Sequence, residues 1–97
     1  MKYFSWNPEK NEWLKIHRNI SFEVVVLYIV EGGLLDILEH PNPERYRGQR
    51  IFLVNIDNYV YLVPFIETND EIFLKTVIPS PKATRAYLRR NTNEQER

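Results

Sequence analysis

Apolar positions along this chain change period near residue 49. Beyond it they fall into three strand-like runs, Arg50 to Ile56, Tyr59 to Ile66 and Glu71 to Ile78, separated by Asp57-Asn58 and by Thr68-Asn69-Asp70. A two-residue Asp-Asn link suits a tight hairpin and the second link a slightly longer one, so the runs predict an antiparallel meander. Pro64 has no N–H to give to a ladder, which predicts a bulge near it. In the last run Ile72, Leu74, Thr76 and Ile78 form the more uniformly apolar side. Lys75 falls on the other, with Glu71, Phe73 and Val77, and is expected to point away from the main core.

Before residue 49 the pattern is helical. Residues 3–6 suit a short strand, and Asn7-Pro8 then reads as a helix start, with Asn as N-cap and Pro at the first helical position. That helix is expected to run to about Arg18. Ser21 caps a second one, with Phe22, Val25, Val26, Ile29 and Val30 on one stripe and Gly32-Gly33 as the stop. Val24, Leu27 and Tyr28 make its other side apolar too, so the segment reads as a deeply buried helix, with a strand as the alternative. Leu34 to Leu38 suits extended chain, and His40 to Gly48 is a loop rich in turn residues. Pro79-Ser80-Pro81 opens a last helix, Lys82 to Arg90. Helices, a meander and a final helix predict an α+β domain over residues 1–90, with helices covering one sheet face, followed by a polar tail at 91–97 that is either frayed or a handle for a partner.

Composition narrows the chemistry. With 97 residues, 43% of them hydrophobic, the chain suits one domain with a small core. No apolar run approaches the about 18 residues a membrane span needs, and the first residues lack the apolar stretch of a signal peptide, so a cytoplasmic protein is expected. There is no cysteine, which removes thiol nucleophiles and thiolate zinc sites. Two isolated histidines argue against a catalytic metal centre, and no cofactor is expected.

Formal net charge is zero, yet the charge is unevenly spread. From Lys75 onward six basic residues face two acidic ones, while the first 74 residues hold seven basic and eleven acidic. Any attraction to a polyanion is therefore local. On the last helix Lys82, Arg85 and Arg89 fall within about 60° of each other, opposite Ala83, Thr84, Tyr87 and Leu88. Folding back at the proline corner would bring Lys75 near Lys82 and Arg85, beside the helix start at Ser80, in an arrangement suited to a phosphate. The bland explanation is a solvated basic helix.

Other candidates are weaker. His40 and Tyr46, in the long loop, have side chains able to donate protons or stack on a base, and Glu67, at a turn, is a candidate general base. Each also reads as an ordinary exposed side chain. His17 beside Trp13 reads as packing, and Tyr59, Tyr61 and Phe65 read either as sheet core or as a stacking platform. If the anion is RNA, these groups permit cleavage without a metal. The 2′-hydroxyl attacks the adjacent phosphate, a base removes its proton, cations hold the added charge and an acid protonates the leaving 5′-oxygen.

Three segments carry a resemblance. Phe4-Ser-Trp-Asn-Pro-Glu-Lys-Asn11, Ile20-Ser-Phe-Glu23 and Lys82-Ala-Thr-Arg85 together resemble the BrnT-like toxins of bacterial type II toxin–antitoxin systems, over nearly the whole chain. The resemblance implies a RelE-like α+β fold, a translation-arresting ribonuclease, and neutralisation by a cognate antitoxin protein. Lys75, Lys82 and Arg85 are then expected to bind the scissile phosphate, His40, Tyr46 and Glu67 to be acid–base candidates, and Arg89 and Arg90 to contact RNA. The family commonly has an arginine just before the Lys-Ala-Thr triplet, where this chain has Pro81. Two rival readings use the same residues: a module that binds RNA, a ribosomal surface or an acidic partner without cutting, and a protein whose role is to be held by its antitoxin.

Overall fold

A computed structural model describes residues 2–89; Arg90 and the tail at 91–97 lie outside the described residues. The elements in chain order are β1 (Tyr3–Trp6), α1 (Pro8–Arg18), α2 (Phe22–Tyr28), β2 (Leu34–Glu39), β3 (Gln49–Ile56), β4 (Tyr59–Glu67), β5 (Glu71–Leu74), β6 (Ile78–Pro79) and α3 (Pro81–Thr84). α2 and α3 each continue into a wider π turn, Ile29–Gly33 and Arg85–Arg89. The fold is α+β, as expected.

Local chemistry sets the helix ends. The Asn7 carboxamide accepts the backbone N–H of Glu9 at 2.8 Å and of Lys10 at 3.0 Å, and Asn19 closes α1 in the left-handed region. Ser21 caps α2 through the Val24 N–H. The turn after α2 brings Gly33 against the sheet, where a Cβ would sit 2.8 Å from the Asn55 carbonyl oxygen, so only glycine fits. This segment is not buried all round: Leu27 of α2 and Val30 of the π turn that continues it are exposed.

The sheet order is β1-β5-β4-β3-β2, with β6 also paired to β4. β2 to β5 form the meander, and Asp57 and Asn58 both take positive φ in its tight hairpin. β1 adds a feature the meander pattern did not contain. It pairs with β5 in parallel, Tyr3 opposite Glu71 through Trp6 opposite Leu74, making the sheet mixed.

The irregularity expected near Pro64 lies on the strand opposite it. β5 pairs with β4 as far as Leu74 opposite Phe65, and pairing resumes with Ile78 opposite Leu62, so Lys75, Thr76 and Val77 face only Val63 and Pro64. The Pro64 carbonyl still accepts the Lys75 N–H at 2.8 Å. One extra residue inverts the alternation beyond this point. Val77 is therefore in the core and Ile78 is exposed, the reverse of the regular pattern.

Both faces of the sheet are covered, which corrects the expectation of helices on one side. α1 and α2 pack Leu14, Phe22 and Val25 on Phe52, Val54, Phe65, Leu74 and Val77. The C-terminal helix packs Ala83, Tyr87 and Leu88 on the other face, against Ile51, Leu53 and Val60. No helix among the described residues is long and apolar enough to cross a membrane.

Candidate functional site

α3 is fixed to the sheet at its first turn. Ser80 gives its N–H to the Val60 carbonyl at 3.0 Å and accepts the Ala83 N–H on its hydroxyl at 3.1 Å. The Thr84 hydroxyl, buried to 1% exposure, accepts the Val60 N–H at 2.9 Å and donates to the Ser80 carbonyl at 2.8 Å. At the far end the Tyr87 hydroxyl donates to Asp36 on β2 at 2.9 Å. Ala83, Thr84, Tyr87 and Leu88 face the sheet, so Lys82, Arg85 and Arg89 are left exposed.

Arg85 and Arg89 meet in one cleft. It is small, about 90 Å³, and is lined by both arginines with Tyr59, Pro81 and Thr84. Neither arginine has an ion pair among the described residues. Two permanently cationic guanidiniums beside a phenol suit a phosphodiester, because the planar forks match phosphate oxygens and the phenol hydroxyl can donate a hydrogen bond. Pro81, where the BrnT resemblance places an arginine, lines this same cleft. The sequence pattern leaves Tyr59 as sheet core or as part of a stacking platform; its place beside the helix in this cleft is a tertiary relation that period-two patterning does not encode.

Lys75 lies elsewhere. It lines a broader groove of about 560 Å³ with Phe73 and with Asn7, Glu9, Lys10 and Trp13 of the α1 entry. Lys82 lines neither groove. The expected meeting of Lys75, Lys82 and Arg85 is therefore divided: helix and strand contribute their cations to two different places.

The acid–base candidates have other partners. His40 and Tyr46 stack on each other with centroids 4.1 Å apart, and His40 Nδ1 accepts the Asn42 N–H at 3.1 Å, which organises the loop. Glu67 is held by Lys2 and Arg50 together. The Lys2 hydrogen bond, with the charges of Lys2 and Arg50, keeps its carboxyl below the ordinary carboxylate range, which makes it a weaker base. None of these three lines the Arg85 cleft. Arg90 lies outside the described residues. His17 stacks on Trp13 at 4.6 Å, as expected of packing.

The residues that carry the family resemblance also hold the fold together. Asn11, 4% exposed, accepts the Phe22 N–H at 2.8 Å and donates to Glu23 at 2.8 Å, joining two of the three segments. That bond, the largest cause, lowers the Glu23 carboxyl below its usual range. Trp6 stacks on Phe22 at 5.5 Å. No group of three or more histidines and carboxylates among the described residues is placed to hold a metal ion. Comparison with known proteins gives no match to a family model, to a curated protein or to a solved structure.

Proposed function

We propose that this chain is the toxin component of a type II toxin–antitoxin system, a cytoplasmic, metal-independent endoribonuclease with a RelE-like fold that is held inactive by a cognate antitoxin. The observation that supports it best is the pair Arg85 and Arg89, with Tyr59, in a cleft with no carboxylate among the described residues that line it. In this reading the scissile phosphate sits between the guanidiniums, which hold the charge added when the 2′-hydroxyl attacks phosphorus. Solvent water takes the 2′-hydroxyl proton as the new O–P bond forms and the bond to the 5′-oxygen breaks; the Tyr59 phenol gives its proton to the departing 5′-oxygen and regains one from water, and the products are a 2′,3′-cyclic phosphate and a free 5′-hydroxyl. Each preorganised donor on such a state contributes about 100-fold or more in rate.

The test is incubation of purified protein with a defined RNA in excess chelator. Discrete fragments ending in cyclic phosphate, reduced about 100-fold by Arg85→Ala, are expected; intact RNA at micromolar protein overturns catalysis. One observation favours a second reading, in which the chain binds RNA without cutting it. Among the described residues that line the cleft there is no imidazole or carboxylate to take the 2′-hydroxyl proton, and Pro81 stands where the family's arginine is expected. Binding of RNA without fragments, weakened by Arg85→Ala, is its signature.

A further inference from the structure

The second groove is built from two distant segments of the chain, residues 7–13 and 73–75, and contains what a nucleotide needs. We propose that it is a subsite for single-stranded RNA, with a phosphate between Lys10 and Lys75, a base against Trp13 and Phe73, and Glu9 accepting from the base edge. The inference deepens the RNA reading above and rests on it.

The two lysines come from separate elements, Lys10 from α1 and Lys75 from the chain just past β5, and neither has an ion pair among the described residues. Lys10 is also positioned: its ammonium lies 4.2 Å from the centre of the Trp13 ring. Arg18 lies 5.0 Å from the same ring and donates to the Val77 carbonyl at 2.7 Å, which ties the segment carrying Lys75 to α1. Trp13 is 38% exposed, but His17 stacks on its ring at 4.6 Å and Lys10 lies over it, so a base reaches the ring only as the Lys10 ammonium moves from it onto the phosphate. A volume of about 560 Å³ is within the about 300 to 1,000 Å³ of small-molecule sites. The free N–H groups of the α1 start do not provide the attraction, because Asn7 already caps two of them. What remains is the combination used for single strands: cations along a backbone path and aromatic surface for bases. Glu9 would repel a phosphate but can accept from the N–H donors of a base edge, which gives the groove a polarity along the strand.

The experiment uses the full chain and a 2′-O-methyl RNA octanucleotide, which cannot be cleaved by its own 2′-oxygen. Tryptophan fluorescence is titrated in wild type, Trp13→Phe, Lys10→Ala/Lys75→Ala and Arg85→Ala/Arg89→Ala, with circular dichroism melts as folding controls. Saturable quenching is expected in wild type, with none in Trp13→Phe. The double lysine variant should bind at least tenfold more weakly, with the salt slope reduced by about 0.7 for the one phosphate no longer neutralised on a single strand. Quenching should persist in the double arginine variant. If RNA binds and the double lysine variant matches wild type, or no Trp13 signal appears, the subsite is overturned while the RNA reading stands. If the groove binds an acidic hexapeptide and no RNA binds anywhere on the wild-type chain, both are overturned.

Discussion

Val60 gives its backbone N–H to the hydroxyl of Thr84 across 2.9 Å, although the two residues are 24 apart in the chain. This bond holds the C-terminal helix at a fixed height on β4, and with it the two arginines. Thr84→Val keeps the shape and leaves a buried N–H unpaired, at a cost of about 1 to 3 kcal/mol. For a domain of this size each kcal/mol lowers Tm by about 4 to 8 °C. Thr84→Ser should restore most of the loss. Equal melting of the valine and wild-type proteins would show that the bond contributes nothing.

Asn11 serves Phe22 and Glu23 with opposite ends of one carboxamide. Asn11→Asp keeps an acceptor for the Phe22 N–H but sets two carboxylates against each other, so the variant should be destabilised most at neutral pH and recover relative to wild type as Glu23 or the new Asp is protonated. Urea melts at pH 7 and pH 4.5 measure the difference. A pH-independent loss would mean that steric fit, not charge, selects asparagine.

Glu67 and Glu23 are both held below the ordinary carboxyl value of 4.5. A depressed folded value means the unfolded state takes up protons first, so their contribution is complete above 4.5 and is lost as pH falls through the lower folded values. The Glu67→Gln protein should show a shallower fall in stability with acid than wild type, and the difference should shrink in high salt because Glu67 and both its partners are partly solvated. Parallel acid curves would remove Glu67 from the account.

The extra residue opposite Pro64 makes a pair of opposite expectations. Val77→Ala removes two methyl groups from a closed core and should cost about 2 kcal/mol or more, by transfer plus the cavity left behind. Ile78→Ala, on an exposed side chain, should cost well under half of that. A reversed order would place the alternation back in step.

Pro81→Arg adds a third cation to the Arg85 cleft. RNA binding should tighten by about tenfold or more, for about 1.4 kcal/mol, with a small stability loss because proline suits the first helical position. Unchanged affinity with an intact fold would separate Pro81 from any RNA site.

Much of this fold was written locally. Asn7-Pro8, Ser21 and Ser80-Pro81 each start a helix where their capping chemistry says, and Asp57-Asn58 turns the hairpin. What was not legible is long-range. Nothing near Tyr3 indicates a partner at Glu71, and one surplus residue at Lys75–Val77 exchanges core and surface for everything after it. The covering of both faces did leave a trace: Ile51, Phe52, Leu53 and Val54 are apolar without alternation, the pattern of a strand buried on both sides. At the candidate site the helical period placed Arg85 and Arg89 on one face correctly. Their neighbour Tyr59, and the separation of Lys75, depend on how helix and sheet dock.

The parallel pairing of β1 with β5 sets the order in which the molecule can be finished. Tyr3 must wait for Glu71, so a growing chain leaves its first strand without its partner until most of the domain has been made, and the closure joins segments about as distant as the sheet contains. Such contacts are slow to form. The groove between Lys10 and Lys75 is lined from the ends of these two strands, so it comes into being only when β1 and β5 are together. A chain interrupted during synthesis would carry the pieces of that groove without the groove.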